Sequence, residues 1–169
     1  IDAGASGIRI NPGNIGSEKR LFEIVRRALD NNVAIRIGVN SGSLEKDLLK
    51  KYGGPCPEAL VESALRSAAL VTGWGHTNVK LSLKSTSVPD TIAAYRLVSE
   101  QTDLPLHLGV TEAGTVLRGA IKSSVGIGIL LADGIGDTIR VSLAGDPLSE
   151  VLCANTILSS LGLAKKGID

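Results

Sequence analysis

Short aliphatic segments alternate along the chain with amphipathic segments of helical period, and loops rich in Gly, Asn and Ser separate them. The aliphatic segments predict five β-strands, at residues 7–11, 34–39, 78–84, 104–110 and 138–143. The segments of helical period predict helices at residues 17–31, 44–51, 57–71, 88–101, 117–132 and 148–161. Predicted N-caps are Ser17 and Ser43, and predicted helix stops are Gly73, Gly134 and Gly162. This alternation predicts βα units and a parallel sheet.

Each predicted strand has one aliphatic face and one face of polar or small residues, because successive side chains of a strand point to opposite sides. In the first strand, for example, Ile8 and Ile10 oppose Arg9 and Asn11. A doubly wound sheet needs apolar residues on both faces, whereas the helices of a (β/α) barrel cover the outer face alone. The predicted fold is therefore α/β: a partial (β/α)8 TIM-type barrel of about five parallel strands with outer helices.

The polar face carries five cations and, within the predicted strands, no Asp or Glu. The cations are Arg9, Arg36, Lys80, Lys84 and Arg140. Clustered like charges repel unless an anion neutralises them, and arginine matches phosphate with a planar fork. Asn11, Asn40 and Ser142 add neutral hydrogen-bonding groups near the same strand ends. The pattern predicts a small ligand with two phosphate groups; the alternative is that backbone carbonyls or loop carboxylates satisfy the cations.

Several residues near the predicted mouth could add chemistry. Glu112, in "GVTEAGT", is the acid just past a strand end, and it is either a proton donor or acceptor or an ion-pair partner. The loops "NPGNIGSEK" and "NSGSLEKDL" lead into helix starts, which bind anions readily. His107 is expected to be a hydrogen-bonded packing residue. Cys56 and Cys153 show no metal-site spacing.

Composition narrows the class of protein. The 169 residues are 43% hydrophobic and only 2% aromatic, which predicts one domain with an aliphatic core. A net charge of +1 and few aromatic residues argue against a nucleic-acid partner. No apolar stretch is long enough to span a membrane. The two isolated cysteines fit a reducing compartment, and the predicted location is the cytoplasm.

Five segments carry a resemblance to a known family: "RINPGNIG", "IRIGVNSGSLEKDL", "PLHLGVTEAG", "GIGDTIRVSLAGDP" and "KKGID". Together they resemble the hydroxymethylbutenyl diphosphate synthase family, also called GcpE. The resemblance implies an iron–sulfur-dependent oxidoreductase of the methylerythritol phosphate route to isoprenoids. Such an enzyme reductively opens methylerythritol cyclodiphosphate to hydroxymethylbutenyl diphosphate. It also implies a substrate-binding barrel similar to that of dihydropteroate synthase.

The resemblance also assigns roles to residues of this sequence. It implies that Glu112 is the carboxylate near the reacting centre and delivers a proton. The implied contacts to the diphosphate and hydroxyl groups of the substrate are Arg9, Asn11, Arg36, Asn40, Lys84, Arg140 and Ser142. Lys80 is placed on the same face by strand alternation alone.

The resemblance further implies a [4Fe–4S] cluster, held by three cysteines and a glutamate of a separate C-terminal domain that we expect outside this chain. Ferredoxin or flavodoxin would supply electrons, and a homodimer would place one subunit's cluster over the other's barrel. Residues 1–169 are expected to be the C-terminal portion of the barrel domain, inactive alone and at most a weak ligand binder. The alternatives are another TIM-barrel enzyme acting on a phosphorylated or pterin substrate, such as a dihydropteroate synthase-like enzyme, and a non-catalytic anion-binding scaffold.

Overall fold

The computed structural model of the protein describes residues 1–164. Its strands are β1 (Gly7–Ile10), β2 (Ala34–Asn40), β3 (Val79–Lys84), β4 (His107–Leu108) and β5 (Thr138–Ile139). Its helices are α1 (Pro12–Ile15), α2 (Glu18–Asp30), α3 (Lys46–Tyr52), α4 (Pro57–Gly73), α5 (Val88–Ser99), α6 (Val116–Ala132) and α7 (Pro147–Ser160). A 3-10 turn at Ser41–Ser43 follows β2.

The strands are parallel and follow the order of the chain. One sheet has the order β1-β2-β3, a second pairs β4 with β5, and a bridge between Leu81 and Leu106 joins the two. Within residues 1–164 the row of strands does not close on itself. The prediction of a partial α/β barrel with parallel strands and outer helices is confirmed.

The helices bury the aliphatic face of this row. Ile35, Ile37 and Leu81 are completely buried, as are Val25 of α2 and Tyr95 of α5. Helix α2 places Leu21, Val25 and Ala28 against the strands at the three- and four-residue spacing of one helix face. Because the helices cover this side only, the polar side chains of the strands face the interior of the partial barrel.

Strands β4 and β5 are shorter than the sequence predicts, with two residues each instead of seven and six. Carboxylates take over backbone groups at the predicted ends: Leu106 N–H donates to Asp137 Oδ2 at 2.8 Å, and Leu143 N–H donates to Glu150 Oε1 at 2.8 Å. Pro105 also lacks the N–H that a ladder requires. Apart from the single bridge between Leu106 and Leu81, these residues are not paired as strands.

The predicted cap at Ser43 is wrong, whereas that at Ser17 is confirmed. Ser17 Oγ accepts a hydrogen bond from Arg20 N–H. Ser43 instead lies in the 3-10 turn, where its Oγ accepts from Asn11 Nδ2 at 2.8 Å, and α3 begins later, at Lys46. Helix α1 was not predicted; Asn11 caps it by accepting from Gly13 N–H.

The amino ends of the strands carry packing residues. His76, just before β3, is buried, and its Nε2 lies 2.9 Å from Val33 O. Trp74 packs edge-on against Phe22, with ring centroids 5.2 Å apart. The "KKGID" segment lies outside the described residues. Among residues 1–164, no helix has the length and apolar character needed to cross a bilayer.

Candidate functional site

Strand register brings the predicted cations side by side. Arg9 pairs with Arg36 and Arg36 pairs with Lys80, so three cations occupy the same level of β1, β2 and β3. Four residues further along both strands, Asn40 of β2 pairs with Lys84 of β3. Parallel strands lie about 4.8 Å apart, so these side chains crowd one another. The inner face thus carries a row of positive charge, which we call the cation ladder; its members are Arg9, Arg36, Lys80, Lys84 and Arg140.

No carboxylate neutralises this ladder within residues 1–164. The ion pairs there are peripheral: Arg27 with Asp2, Lys51 with Glu62, Arg66 with Asp47 and Glu62, and Arg96 with Asp133. Among the described residues, Arg9 is the one cation of the five with a backbone partner, since its Nη2 donates to Gly38 O at 2.9 Å. The sequence left open the alternative that backbone carbonyls bind these cations. That alternative therefore explains one hydrogen bond of one cation, Arg9.

Lys84 is the cation most affected by this environment. Its side chain is about 9% exposed, and burial lowers the pKa of its ammonium to about 8, helped by the charges of Arg140, Arg36 and Arg9. Burial, then Arg9 and Arg140, also lowers the pKa of Arg36. Burial and like-charge repulsion both oppose a charged group. The site would therefore be stabilised by an anion.

A cleft of about 440 Å³ opens at the carboxyl ends of β1 and β2. Four of the predicted site residues line it: Arg9, Asn11, Asn40 and Glu112. Glu112 is exposed and adopts φ of +49°, a left-handed conformation that is uncommon outside glycine and that clusters at functional sites. A carboxylate, a guanidinium and two amides therefore share one solvent-filled opening.

The remaining predicted residues lie around this cleft at different depths. Arg36 and Lys80 line a second cleft of about 330 Å³ toward the amino ends of the strands, and Arg9 borders both clefts. Lys84 lies deep, and Arg140 is exposed beyond β5. Ser142 is half-buried after β5 and is not among the residues that line either cleft.

His107 is a neutral residue among these charges. Its ring is about 8% exposed, and Nδ1 lies 2.8 Å from Thr138 Oγ1. Burial, then the charges of Arg36, Lys84, Lys80 and Arg140, lowers the pKa of His107 to about 3. The imidazole is therefore uncharged at neutral pH, consistent with the packing role expected from the sequence.

Sequence reasoning did not assign several polar groups of the cleft. Asn14, Ser41, Ser43, Thr86 and Thr111 line it beside the predicted residues. Most of these residues sit in the loops just after strands, where the carboxyl ends of barrel strands build ligand sites. In the sequence, the loops "NPGN" and "NSGS" indicated that Asn14, Ser41 and Ser43 lie just after strands and could line a ligand site.

The residues present do not fit an iron–sulfur cluster. Such a cluster needs four ligands, chiefly cysteine thiolates, and the chain has Cys56 and Cys153 only. Within residues 1–164 no group of three or more His, Cys, Asp or Glu side chains could hold a metal ion. Burial raises the pKa of the Cys56 thiol, which disfavours the thiolate.

Solved structures show the same fold. The chain matches HMG-CoA lyase from Brucella melitensis with a TM-score of 0.60 over 96% of this chain and 60% of that one. The sequences are 16% identical, so this match concerns the fold alone.

Sequence comparisons identify the family. Three curated relatives are named 4-hydroxy-3-methylbut-2-en-1-yl diphosphate synthase (flavodoxin). The relative from Geobacter sulfurreducens is 55% identical to this chain, and the match covers 100% of the chain and 48% of the relative. The relative from Maridesulfovibrio salexigens is 58% identical over 99% of the chain and 47% of the relative. The relative from Aquifex aeolicus is 57% identical over 100% of the chain and 47% of the relative. The chain spans about half the length of these relatives. Residues 1–155 match the GcpE TIM-barrel domain, and the chain therefore belongs to the GcpE family.

Proposed function

We propose that this chain is the substrate-binding barrel part of an enzyme that reductively opens methylerythritol cyclodiphosphate to hydroxymethylbutenyl diphosphate. The observation that carries the proposal is the ladder of cations on the inner face, which no carboxylate neutralises within residues 1–164. The names of the curated relatives agree with this substrate class. The family match favours this activity over that of a dihydropteroate synthase-like enzyme.

The diphosphate is bound by the cations of the ladder. Arginine presents a planar fork that bonds two phosphate oxygens at once, and lysine supplies a compact charge. Arg9, Arg36, Lys84 and Arg140 neutralise the two phosphate groups, while Asn11, Asn40 and Ser142 bind the ester and hydroxyl oxygens. The ligand relieves the repulsion that lowers the pKa values of Arg36 and Lys84. Binding and charge neutralisation are therefore the same event.

The reaction needs a proton at the end of the ligand away from the phosphates. Ring opening consumes two electrons and two protons. The carbon–oxygen bond that closes the ring breaks and its oxygen leaves on the phosphate with one proton, the neighbouring hydroxyl leaves as water with the other, and a double bond forms between the two carbons. Glu112 lies on the rim of the cleft that Arg9 also lines. Its carboxylic acid donates a proton to the departing hydroxyl, which leaves Glu112 as a carboxylate. General acids of this kind accelerate reactions by about 10²–10⁴-fold.

The electron chemistry belongs outside the residues of this chain. We propose that a [4Fe–4S] cluster is held by a separate domain of the full-length protein and supplies the two electrons. In the full-length protein the electron donor would be flavodoxin, which the relatives' names include, or ferredoxin. A cytoplasmic homodimer, in which one subunit's cluster covers the other's barrel, follows from the family resemblance. Residues 1–169 are then the C-terminal portion of the barrel domain.

The test is substitution of Glu112 in the full-length protein. Glu112→Gln is expected to lower turnover by two orders of magnitude or more while the Kd for the cyclodiphosphate stays within threefold. Glu100→Gln, which changes an exposed glutamate at the end of α5, is the matched control and should leave both values unchanged. Unchanged turnover in Glu112→Gln would support a non-catalytic scaffold instead.

A second measurement concerns the chain alone. Isothermal titration of residues 1–169 with the cyclodiphosphate is expected to show weak binding or none. Tight binding would contradict the expectation that residues 1–169 alone are at most a weak ligand binder.

A further inference from the structure

Arg9 does not stay at the level where strand register places it. Register sets it beside Arg36, with Lys80 next in the row. Like charges directly opposite one another on neighbouring strands destabilise a sheet. The Arg9 side chain instead crosses toward the carboxyl end of β2, where its Nη2 donates to Gly38 O at 2.9 Å.

Gly38 provides the space for this path. A Cβ added at Gly38 would overlap Arg9 Nε and lie 3.2 Å from both Arg9 Cδ and Cγ, and these are the three atoms nearest to it. Arg36, Gly38 and Asn40 share the inner face of β2, so Gly38 is the gap between two larger side chains. With the Asn40 amide oriented to give its oxygen a donor, Oδ1 accepts from Arg9 Nη2 at 3.3 Å. The side chain of Arg9 thus extends from β1 over β2, and Gly38 and Asn40 of β2 hold its guanidinium.

A second glycine, in the segment after β4, also lies close to one of the cations. A Cβ at Gly109, beyond β4, would lie 3.3 Å from Lys84 Cε and Nζ and 2.9 Å from Arg140 O. The Lys84 ammonium therefore lies against the backbone of the next strand, as the Arg9 guanidinium does at Gly38. At Gly38 the Arg9 side chain occupies the space that a Cβ would fill, whereas at Gly109 the atom nearest to an added Cβ is the Arg140 carbonyl oxygen and Lys84 is in close contact.

We propose that Gly38 is a positioning residue for the ligand: its missing side chain lets Arg9 leave the level of Arg36 and deliver its guanidinium to the carboxyl-end cleft. The cleft that Arg9 reaches is the one lined by Asn40 and Glu112. Gly38 acts through Arg9 and touches no ligand itself. This inference rests on the proposed function, since it assigns Arg9 to the diphosphate.

The experiment compares Gly38→Ala, Arg9→Met and the double variant in the full-length protein, with the Kd for the cyclodiphosphate measured by calorimetry. Arg9→Met is expected to raise the Kd about ten- to a hundredfold, the range for one hydrogen bond to a charged group. Gly38→Ala is expected to raise it about tenfold. The double variant should match Arg9→Met within about twofold, because residues that act through one contact are not additive.

Gly128→Ala is the control, since a Cβ there meets nothing within 4 Å, and its Kd should be unchanged. If Arg9→Met weakens binding but Gly38→Ala does not, the inference is overturned and the proposed function stands. An additive loss in the double variant also overturns the inference. If Arg9→Met leaves the Kd unchanged, both the inference and the phosphate role of Arg9 fail.

Folding of the variants gives a second readout. Should Gly38→Ala not yield folded protein, the double variant Arg9→Ala/Gly38→Ala should be as stable as Arg9→Ala, because the nearest atoms to the added methyl all belong to Arg9. A double variant that also fails to fold would show that alanine at this position disturbs the backbone, and the inference would be overturned.

Discussion

Ligand binding is expected to take up a proton at Lys84. The buried ammonium lies among Arg140, Arg36 and Arg9, and burial with these charges lowers its pKa to about 8. A diphosphate that neutralises the same cluster reverses the electrostatic part of this shift, so the pKa of Lys84 rises on binding. Because the bound state holds the proton more tightly than the free state, affinity must fall as pH rises through the free-state pKa.

The size of the effect follows from that pKa. At pH 8 about half of the free protein carries a neutral Lys84, so binding takes up roughly half a proton per ligand. Between pH 7 and pH 9.5 the Kd is expected to rise with pH, with an upper limit of roughly thirtyfold that would be reached only if the ligand restored an ordinary lysine pKa. A lysine with an ordinary pKa would change the Kd by only about 10% over the same range.

Calorimetry of the full-length protein in two buffers of different ionisation enthalpy measures the proton uptake directly. Each phosphorus of a cyclic diphosphate has one ester oxygen and one anhydride oxygen and therefore a single, strongly acidic proton, so the ligand does not titrate in this range. Lys84→Arg is the matched control, because arginine stays charged and should give no proton uptake near pH 8. A wild-type protein that takes up no proton between pH 7 and pH 9.5 would refute the placement of Lys84 in the ligand's field.

Two further predictions concern the scaffold of the site and are tested by urea unfolding. Tyr95→Phe is expected to lower the free energy of unfolding by about 3 kcal/mol, because the buried hydroxyl accepts from Leu83 N–H at 3.0 Å and donates to His107 O at 2.5 Å, and both groups would lose their partner. Tyr52→Phe, at a less buried hydroxyl, should lower the free energy of unfolding much less, and equal losses would contradict this assignment. The pKa of His107 is about 3 in the folded protein and about 6.5 in the unfolded chain. The folded state therefore keeps the imidazole neutral, and its full stability is present above pH 6.5. The free energy of unfolding decreases as the pH falls from 6.5 toward 3, because the unfolded chain then binds a proton that the folded protein does not. His107→Gln should therefore remove about 1 kcal/mol of the loss in unfolding free energy between pH 6.5 and pH 5.5, and an unchanged pH dependence would show that His107 is not held neutral.

Much of the fold could be predicted from the sequence because its elements carry local signals. Aliphatic alternation marks β2 and β3 nearly to the residue, and Ser17 is an N-cap that the structure confirms. The polar inner face followed from the two-residue period of strands alone. Four of the five segments that carry the resemblance to the GcpE family lie at or beside strand ends, and the fifth, "KKGID", lies outside the described residues.

The errors have a common cause in contacts between residues distant in sequence. The lengths of β4 and β5 depend on the Asp137 and Glu150 carboxylates. These carboxylates accept hydrogen bonds from backbone N–H groups that would otherwise pair with a neighbouring strand. Ser43 looked like a helix cap, but Asn11 donates to its hydroxyl from across 32 positions of the chain. The path of Arg9 over β2 was also invisible to strand alternation.

Alternation also could not rank the depth of the site residues. It placed Lys84 and Arg140 on the same face, yet Lys84 is buried and Arg140 is exposed. Depth depends on what packs above each side chain, and this depth is what sets the low pKa of Lys84.

The most direct test of the central claim is a crystal structure of the full-length protein with the cyclodiphosphate bound. The account predicts phosphate oxygens within hydrogen-bonding distance of Arg9, Arg36 and Lys84, with the carbon skeleton directed toward Glu112. A diphosphate bound elsewhere, or a ladder whose cations are held by carboxylates of other strands, would contradict it.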